Sequence, residues 1–130
     1  MISDDVLSEI RERLVSRFRP EKIILFGSQA RGTADKRSDI DLLVICRFRG
    51  KRRKLMVEMD RELQGIEYAF DIIVQRPDEF RTDRDIPGTV SRYASKEGKT
   101  LYEQSSVIFN EVKNPVPWVA FIGLAIKDFE

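Results

Sequence analysis

Two apolar runs constrain this chain most, because each one meets a polar or conformationally unusual group at its edge. Ile23-Ile24-Leu25-Phe26 ends on Gly27-Ser28, and ten residues further on Asp39 and Asp41 open the run Ile40 to Val44. A short apolar run closed by glycine reads as a buried strand that enters a tight turn. Glycine there lets backbone N–H groups, together with the Ser28 hydroxyl, approach an anion of phosphate size. Strand side chains alternate, so Asp39 and Asp41 point the same way. Two carboxylates side by side repel each other, which costs stability unless a cation lies between them. Such oxygen donors suit Mg²⁺ or Mn²⁺, which are held by carboxylates together with substrate phosphates.

A third carboxylate stands in a similar setting. Asp71 is the one charge inside Tyr68-Ala69-Phe70-Asp71-Ile72-Ile73-Val74. Three aspartates that clamp two metal ions, beside a Gly-Ser turn that holds a polyphosphate, describe a site for in-line phosphoryl or nucleotidyl transfer. A plainer reading makes Asp39 and Asp41 strand-end caps, Gly27 an ordinary turn glycine and Asp71 the partner of an arginine. It leaves unexplained why every one of these aspartates abuts an apolar strand.

The rest of the composition narrows the chemistry. The 130 residues contain no histidine, which removes histidine-bound zinc, a Ser-His-Asp triad and a Cys-His nucleophile pair, and leaves general-base work to a carboxylate or to a metal ion that lowers the pKa of a bound hydroxyl. Cys46 is the single cysteine, so no intrachain disulfide forms and a reducing compartment is expected. Charged residues make up 35% of the chain but nearly cancel at +1, and direct nucleic-acid binding is not expected. The basic cluster of Arg47, Arg49, Lys51, Arg52, Arg53 and Lys54 is either a solvated loop and helix start or a surface beside the site that steers nucleotide, RNA or an acidic partner. The chain starts on acidic rather than basic residues, and its longest apolar stretch, 119–126, falls far short of the roughly 20 residues of a membrane span. A cytoplasmic protein with no membrane contact is expected.

Local patterns give the order of elements. Ser3 as a cap, Asp4 and Asp5 behind it, and Leu7, Ile10, Leu14 and Phe18 at helical spacing predict a helix closed by Pro20. Strands are predicted over 22–26, 40–46 and 70–75, with a helical turn at 29–32 and a polar loop over 33–38, where Ser38 reads as a loop cap. A helix over 51–63 stops at Gly65, a short one starts at Pro77, another covers 86–96 before Gly98, and Leu101-Tyr102 adds a terminal strand. The fold class is α+β (α/β mixed): a small mixed sheet with helices packed on one face, forming one domain over 1–103. Residues 104–130 are a tail, extended around Asn114-Pro115-Val116-Pro117. Its apolar stretch needs cover from the core, a second copy in a homo-oligomer, or a partner, and Phe109, Trp118, Phe121 and Phe129 read as packing groups.

The Gly-Ser turn, the ten-residue gap, Asp-x-Asp and a later strand aspartate resemble the nucleotidyltransferase domain of the DNA polymerase beta superfamily. The compact form Gly27-Ser28-Gln29-Ala30-Arg31-Gly32, followed by Ser38-Asp39-Ile40-Asp41-Leu42, is similar to the minimal nucleotidyltransferases of bacteria and archaea. The likeness continues through Arg84-Asp85-Ile86-Pro87-Gly88-Thr89-Val90 and Glu97-Gly98-Lys99-Thr100-Leu101-Tyr102-Glu103. It then stops.

The resemblance implies a polymerase-beta-like fold and Mg²⁺-dependent transfer of a nucleoside monophosphate from an NTP, foremost AMP from ATP, onto an acceptor hydroxyl. Gly27 and Ser28 would hold the β- and γ-phosphates. Arg31 would join them on the nucleotide, or else hold the loop by pairing with Asp35 or one of the aspartates. Asp39 and Asp41 would bind two metal ions, and Asp71 would complete the ion nearest the attacking hydroxyl and take its proton. Minimal nucleotidyltransferases commonly accompany a HEPN-domain ribonuclease toxin as its antitoxin, adding AMP to a toxin tyrosine. Two other roles stay open: a non-catalytic module that masks a partner, and a small-molecule nucleotidyltransferase acting on an aminoglycoside-like acceptor.

Overall fold

The first helix, α1 (Asp4–Phe18), begins where Ser3 Oγ accepts the Val6 N–H at 3.3 Å and ends where Arg19 turns left-handed ahead of Pro20. This computed structural model describes residues 2–32 and 39–104. After α1 come β1 (Lys22–Phe26), α2 (Gly27–Arg31), β2 (Ile40–Ile45), α3 (Arg52–Glu62), β3 (Phe70–Gln75), α4 (Pro77–Asp83), α5 (Val90–Glu97) and β4 (Lys99–Glu103). The loop with Asp35 and Ser38, and the tail from 105 onward with Phe109, Trp118, Phe121, Phe129 and the apolar stretch 119–126, lie outside the described residues.

The four strands form one mixed sheet in the order β3-β2-β1-β4. β1 runs antiparallel to both β2 and β4, while β2 and β3 are parallel. Parallel neighbours need a crossover, and α3 supplies it. Alternation then divides the strand side chains between two cores. Ile23 and Leu25, Leu42 and Val44, and Ile72 and Val74 pack with Ile10 and Leu14 of α1 and Met59 of α3. Ile24, Phe26, Leu43 and Ile45 pack with Phe80 of α4 and Ala94 of α5.

The helices therefore cover both faces of the mixed sheet, which corrects the expectation that they keep to one. β1 and β2 are apolar at consecutive positions, so each exposes an apolar stripe on either side and both need cover. The start of α5 also differs, at Val90 rather than 86. Pro87 and Gly88, the latter at φ +92°, make a turn, and Thr89 Oγ1 accepts the Arg92 N–H at 3.1 Å as the helix cap.

The basic cluster follows the C-terminal end of β2, whereas Asp39 and Asp41 stand at its start, so it does not lie beside the aspartates. Arg52 holds Glu79 with two hydrogen bonds of 3.0 and 2.7 Å and donates to the Val74 carbonyl at 3.1 Å, tying α3 to α4 and β3. Arg47 pairs with Glu21 at 2.9 Å.

At the other side of the sheet Gly98 joins α5 to β4 against β1. A Cβ there would lie 2.5 Å from the Ala94 carbonyl oxygen, 2.6 Å from Ile24 Cγ2 and 2.8 Å from the Leu25 carbonyl oxygen. Gly98→Ala should therefore push α5 off the sheet and cost about 1–3 kcal/mol, read as a lower urea midpoint with an unchanged slope.

Candidate active site

β1 ends, and β2 and β3 begin, at the same end of the sheet. The strand pairing sets Phe26 opposite Asp41 and Asp41 opposite Asp71. Neighbouring strands are about 4.8 Å apart, so the Asp41 and Asp71 backbones are adjacent. Both aspartates share the parity of Leu43 and Ile73, and so point to the α4/α5 side. Asp39 precedes Asp41 by two residues, and the Ile40 N–H donates to the Ala69 carbonyl at 2.9 Å, holding the start of β2 against the lead-in to β3. Asp39 and Asp71 are exposed, whereas Asp41 is half-buried.

Gly27 closes the site from β1. It has φ +74°, and a Cβ on it would lie 2.1 Å from Asp41 Oδ2 and 3.1 Å from Asp41 Cγ. Both the backbone conformation and the position of the Asp41 side chain favour glycine over any other residue. The Asp41 carboxylate thus rests directly on the turn that starts α2. Ser28 follows, half-buried, with its carbonyl accepting the N–H of Gly32.

Burial raises the Asp41 pKa above its ordinary value of 3.8, and the charges of Asp71 and Asp39 raise it further, while Arg31 opposes them. The three aspartates therefore form one electrostatic unit. Arg31 is exposed, and its Nη1 donates to the Tyr93 hydroxyl. It is near enough to Asp41 to act on its charge, but among the described residues it makes no ion pair with an aspartate. The Tyr93 ring meets Phe26 edge to face, with centroids 6.0 Å apart at 87°. Tyr93 thereby connects α5, α2 and the end of β1, a role that the sequence pattern of α5 does not announce.

The donors fit a hard divalent cation. All are carboxylate oxygens, they repel one another, and Asp41 is partly stripped of water. Among the described residues, no three acidic, histidine or cysteine side chains close into a ready-made ion cage. The aspartates suit an ion whose remaining ligands come from substrate phosphates and water.

The match to known proteins agrees with this geometry. A family model described as a nucleotidyltransferase domain matches residues 7–102. The chain belongs to the nucleotidyltransferase domain family. A Methanocaldococcus jannaschii protein provisionally named a protein adenylyltransferase is 46% identical over 69 residues, which take in 52% of this chain and 45% of that protein. The chain thus spans less than half the length of that relative. A toxin–antitoxin complex with AMP-PNP contains a chain of the same fold, with TM-score 0.58, 21% identity and 82% of each chain covered. A Sulfolobus solfataricus structure provisionally named a nucleotidyltransferase aligns with TM-score 0.54 and 25% identity over 78% of this chain and 80% of that one. The complex of the tri-AMPylated Shewanella oneidensis HEPN toxin with an MNT antitoxin aligns with TM-score 0.56 and 17% identity, over 86% of this chain and 82% of that one. The nucleotidyltransferase fold generally works with divalent metal ions. No helix among the described residues is long and apolar enough to cross a membrane.

The raised pKa of Asp41 makes a pH-dependent statement about this nucleotidyltransferase domain. Folding favours protonated Asp41, so its contribution to stability is full below about 3.8 and is lost as pH rises through the raised folded value. At neutral pH without divalent ions the charged carboxylate strains the fold. Asp41→Asn should then melt at a higher temperature than wild type at pH 7. The difference should shrink as pH falls toward 3.8, measured by thermal unfolding in chelator.

Proposed function

We propose that this chain is a Mg²⁺-dependent nucleotidyltransferase that moves AMP from ATP onto a tyrosine hydroxyl of a partner HEPN-type toxin, and so acts as an antitoxin in the cytoplasm. The observation that carries the reading is the Asp41 carboxylate seated on Gly27 between Asp39 and Asp71. The name of the M. jannaschii relative supports protein adenylylation, and the toxin–antitoxin complexes that share the fold support the partner.

Asp39, Asp41 and Asp71 would hold two divalent ions, which neutralise the triphosphate and lower the pKa of the acceptor hydroxyl when bound. Gly27 and Ser28, at the turn into α2, would take the β- and γ-phosphates through backbone N–H groups and the Ser28 hydroxyl. Arg31, steadied by Tyr93, offers its remaining N–H donors to the same phosphates. In the reaction the acceptor oxygen bonds to the α-phosphorus and the bond to the α,β-bridging oxygen breaks. Pyrophosphate leaves, and the acceptor proton passes to Asp71. Positioning and charge neutralisation carry most of such a transfer, so a small site suffices.

Binding and chemistry separate in two variants. Calorimetry with ATP and Mg²⁺ should give clear binding to wild type and none to the Asp39→Ala, Asp41→Ala double variant; equal binding by both would sink the proposal. Asp71→Asn should keep most of the nucleotide affinity while slowing transfer of labelled AMP by about 10²-fold or more. Undiminished turnover would remove Asp71 from the mechanism.

A further inference from the structure

Exposed apolar groups are concentrated in the segment that holds Tyr93. Four large apolar side chains stand exposed among the described residues, and three of them, Ile86 (45%), Val90 (36%) and Tyr93 (38%), fall between residues 86 and 93. Scattered exposed apolar residues are ordinary, but a cluster leaves a surface that is costly to wet. Val90 and Tyr93 are three residues apart on α5 and so share one of its sides. With the Pro87-Gly88-Thr89 turn, Arg92, Lys96 and Glu97 they line an open groove of about 470 Å³, which Ile86 adjoins in sequence without lining it.

This surface is held in shape. Thr89 Oγ1 accepts the Arg92 N–H and lies 2.7 Å from the Asp83 carbonyl oxygen and 2.9 Å from that of Ile86, donating its proton to one of them. Ser91 is fully buried, and its hydroxyl donates to Gln75 Oε1 at the end of β3. Above the groove, Gly88 has nothing within 4 Å of where a Cβ would stand, so the turn is open to solvent. One edge of the groove is Tyr93, whose hydroxyl receives the Arg31 hydrogen bond. The groove thus shares Tyr93 with the Arg31 contact, and Arg31 acts on the charge of Asp41.

We infer that α5 and the turn before it form the seat of the protein acceptor: a segment that presents its tyrosine to the aspartates and flanks it with apolar and acidic residues. The inference rests on the reading of the chain as a protein adenylyltransferase and adds where the acceptor sits. An occupant that covers Ile86, outside the groove, together with Val90 and Tyr93 within it has to be extended, as a polypeptide segment is. Arg92 and Lys96, one turn apart along the groove, outnumber its one acidic residue, Glu97, and so favour acidic flanks.

The test compares two defined acceptors, N-acetyl-tyrosinamide and a short peptide with a central tyrosine flanked by leucine and aspartate, on the full chain with labelled ATP and Mg²⁺. Wild type should use the peptide with a kcat/KM at least about tenfold higher than that of the small acceptor. The Ile86→Asp, Val90→Asp double variant should lose that advantage through KM while keeping transfer to N-acetyl-tyrosinamide and ATP binding unchanged. The milder Ile86→Ser, Val90→Ser pair should show the same direction if the aspartates impair folding. Equal use of both acceptors by wild type, or a double variant that handles the peptide like wild type, overturns the docking surface and leaves the proposed activity standing. So does a double variant that loses ATP affinity, which would assign the groove to the nucleotide, or one that loses concentration-dependent self-association, which would assign it to a second copy. No transfer to either acceptor overturns the adenylyltransferase reading itself, and the docking surface with it.

Discussion

The contact between Gly27 and the Asp41 carboxylate is the constraint around which this molecule is arranged. With Oδ2 lying 2.1 Å from where a side chain would begin, any side chain at residue 27 would displace the carboxylate. That contact brings an anionic group against a turn whose N–H groups themselves attract anions, and it does so where Asp39 and Asp71 add further negative charge. Such an arrangement is stressed in isolation. A cation shared with a polyphosphate relieves it, so the features that cost stability are the ones that a nucleotide–metal complex would satisfy.

The fold delivers this contact by strand direction. β1 ends where β2 and β3 start because β1 is antiparallel to β2 and β2 is parallel to β3. Three consecutive strands thus contribute their termini to one edge of the sheet, and the crossover α3 is what permits the parallel pair. The second helical layer is thin, but it has a particular task. α5 lies against β1 through Gly98 and Ala94, and sends Tyr93 to Phe26 and Arg31 at the carboxylate end. Stability and site geometry meet in that one helix.

The strands and the three aspartates were legible in the sequence because charge inside an apolar run is a local signal. The bounds 22–26 and 70–75 coincide with β1 and β3 as the structure has them. The contact between Arg31 and Tyr93 was not legible: the two are 62 residues apart, and nothing in the α5 sequence marks a tyrosine that meets α2. Helices on both faces were missed although β1 and β2 are apolar at consecutive positions, a pattern that asks for cover on either side of the sheet. The early start assigned to α5 gave too little weight to Pro87, which disfavours helix in the residue before it.

The most direct measurement of the central claim is the titration of the Asp41 carboxyl carbon by NMR on ¹³C-labelled protein, with and without ATP and a divalent cation. Without the ion the Asp41 pKa should lie above the ordinary 3.8, and it should fall below that value once nucleotide and metal are bound. An Asp41 that titrates at its ordinary value and does not respond to the metal–nucleotide complex would contradict it.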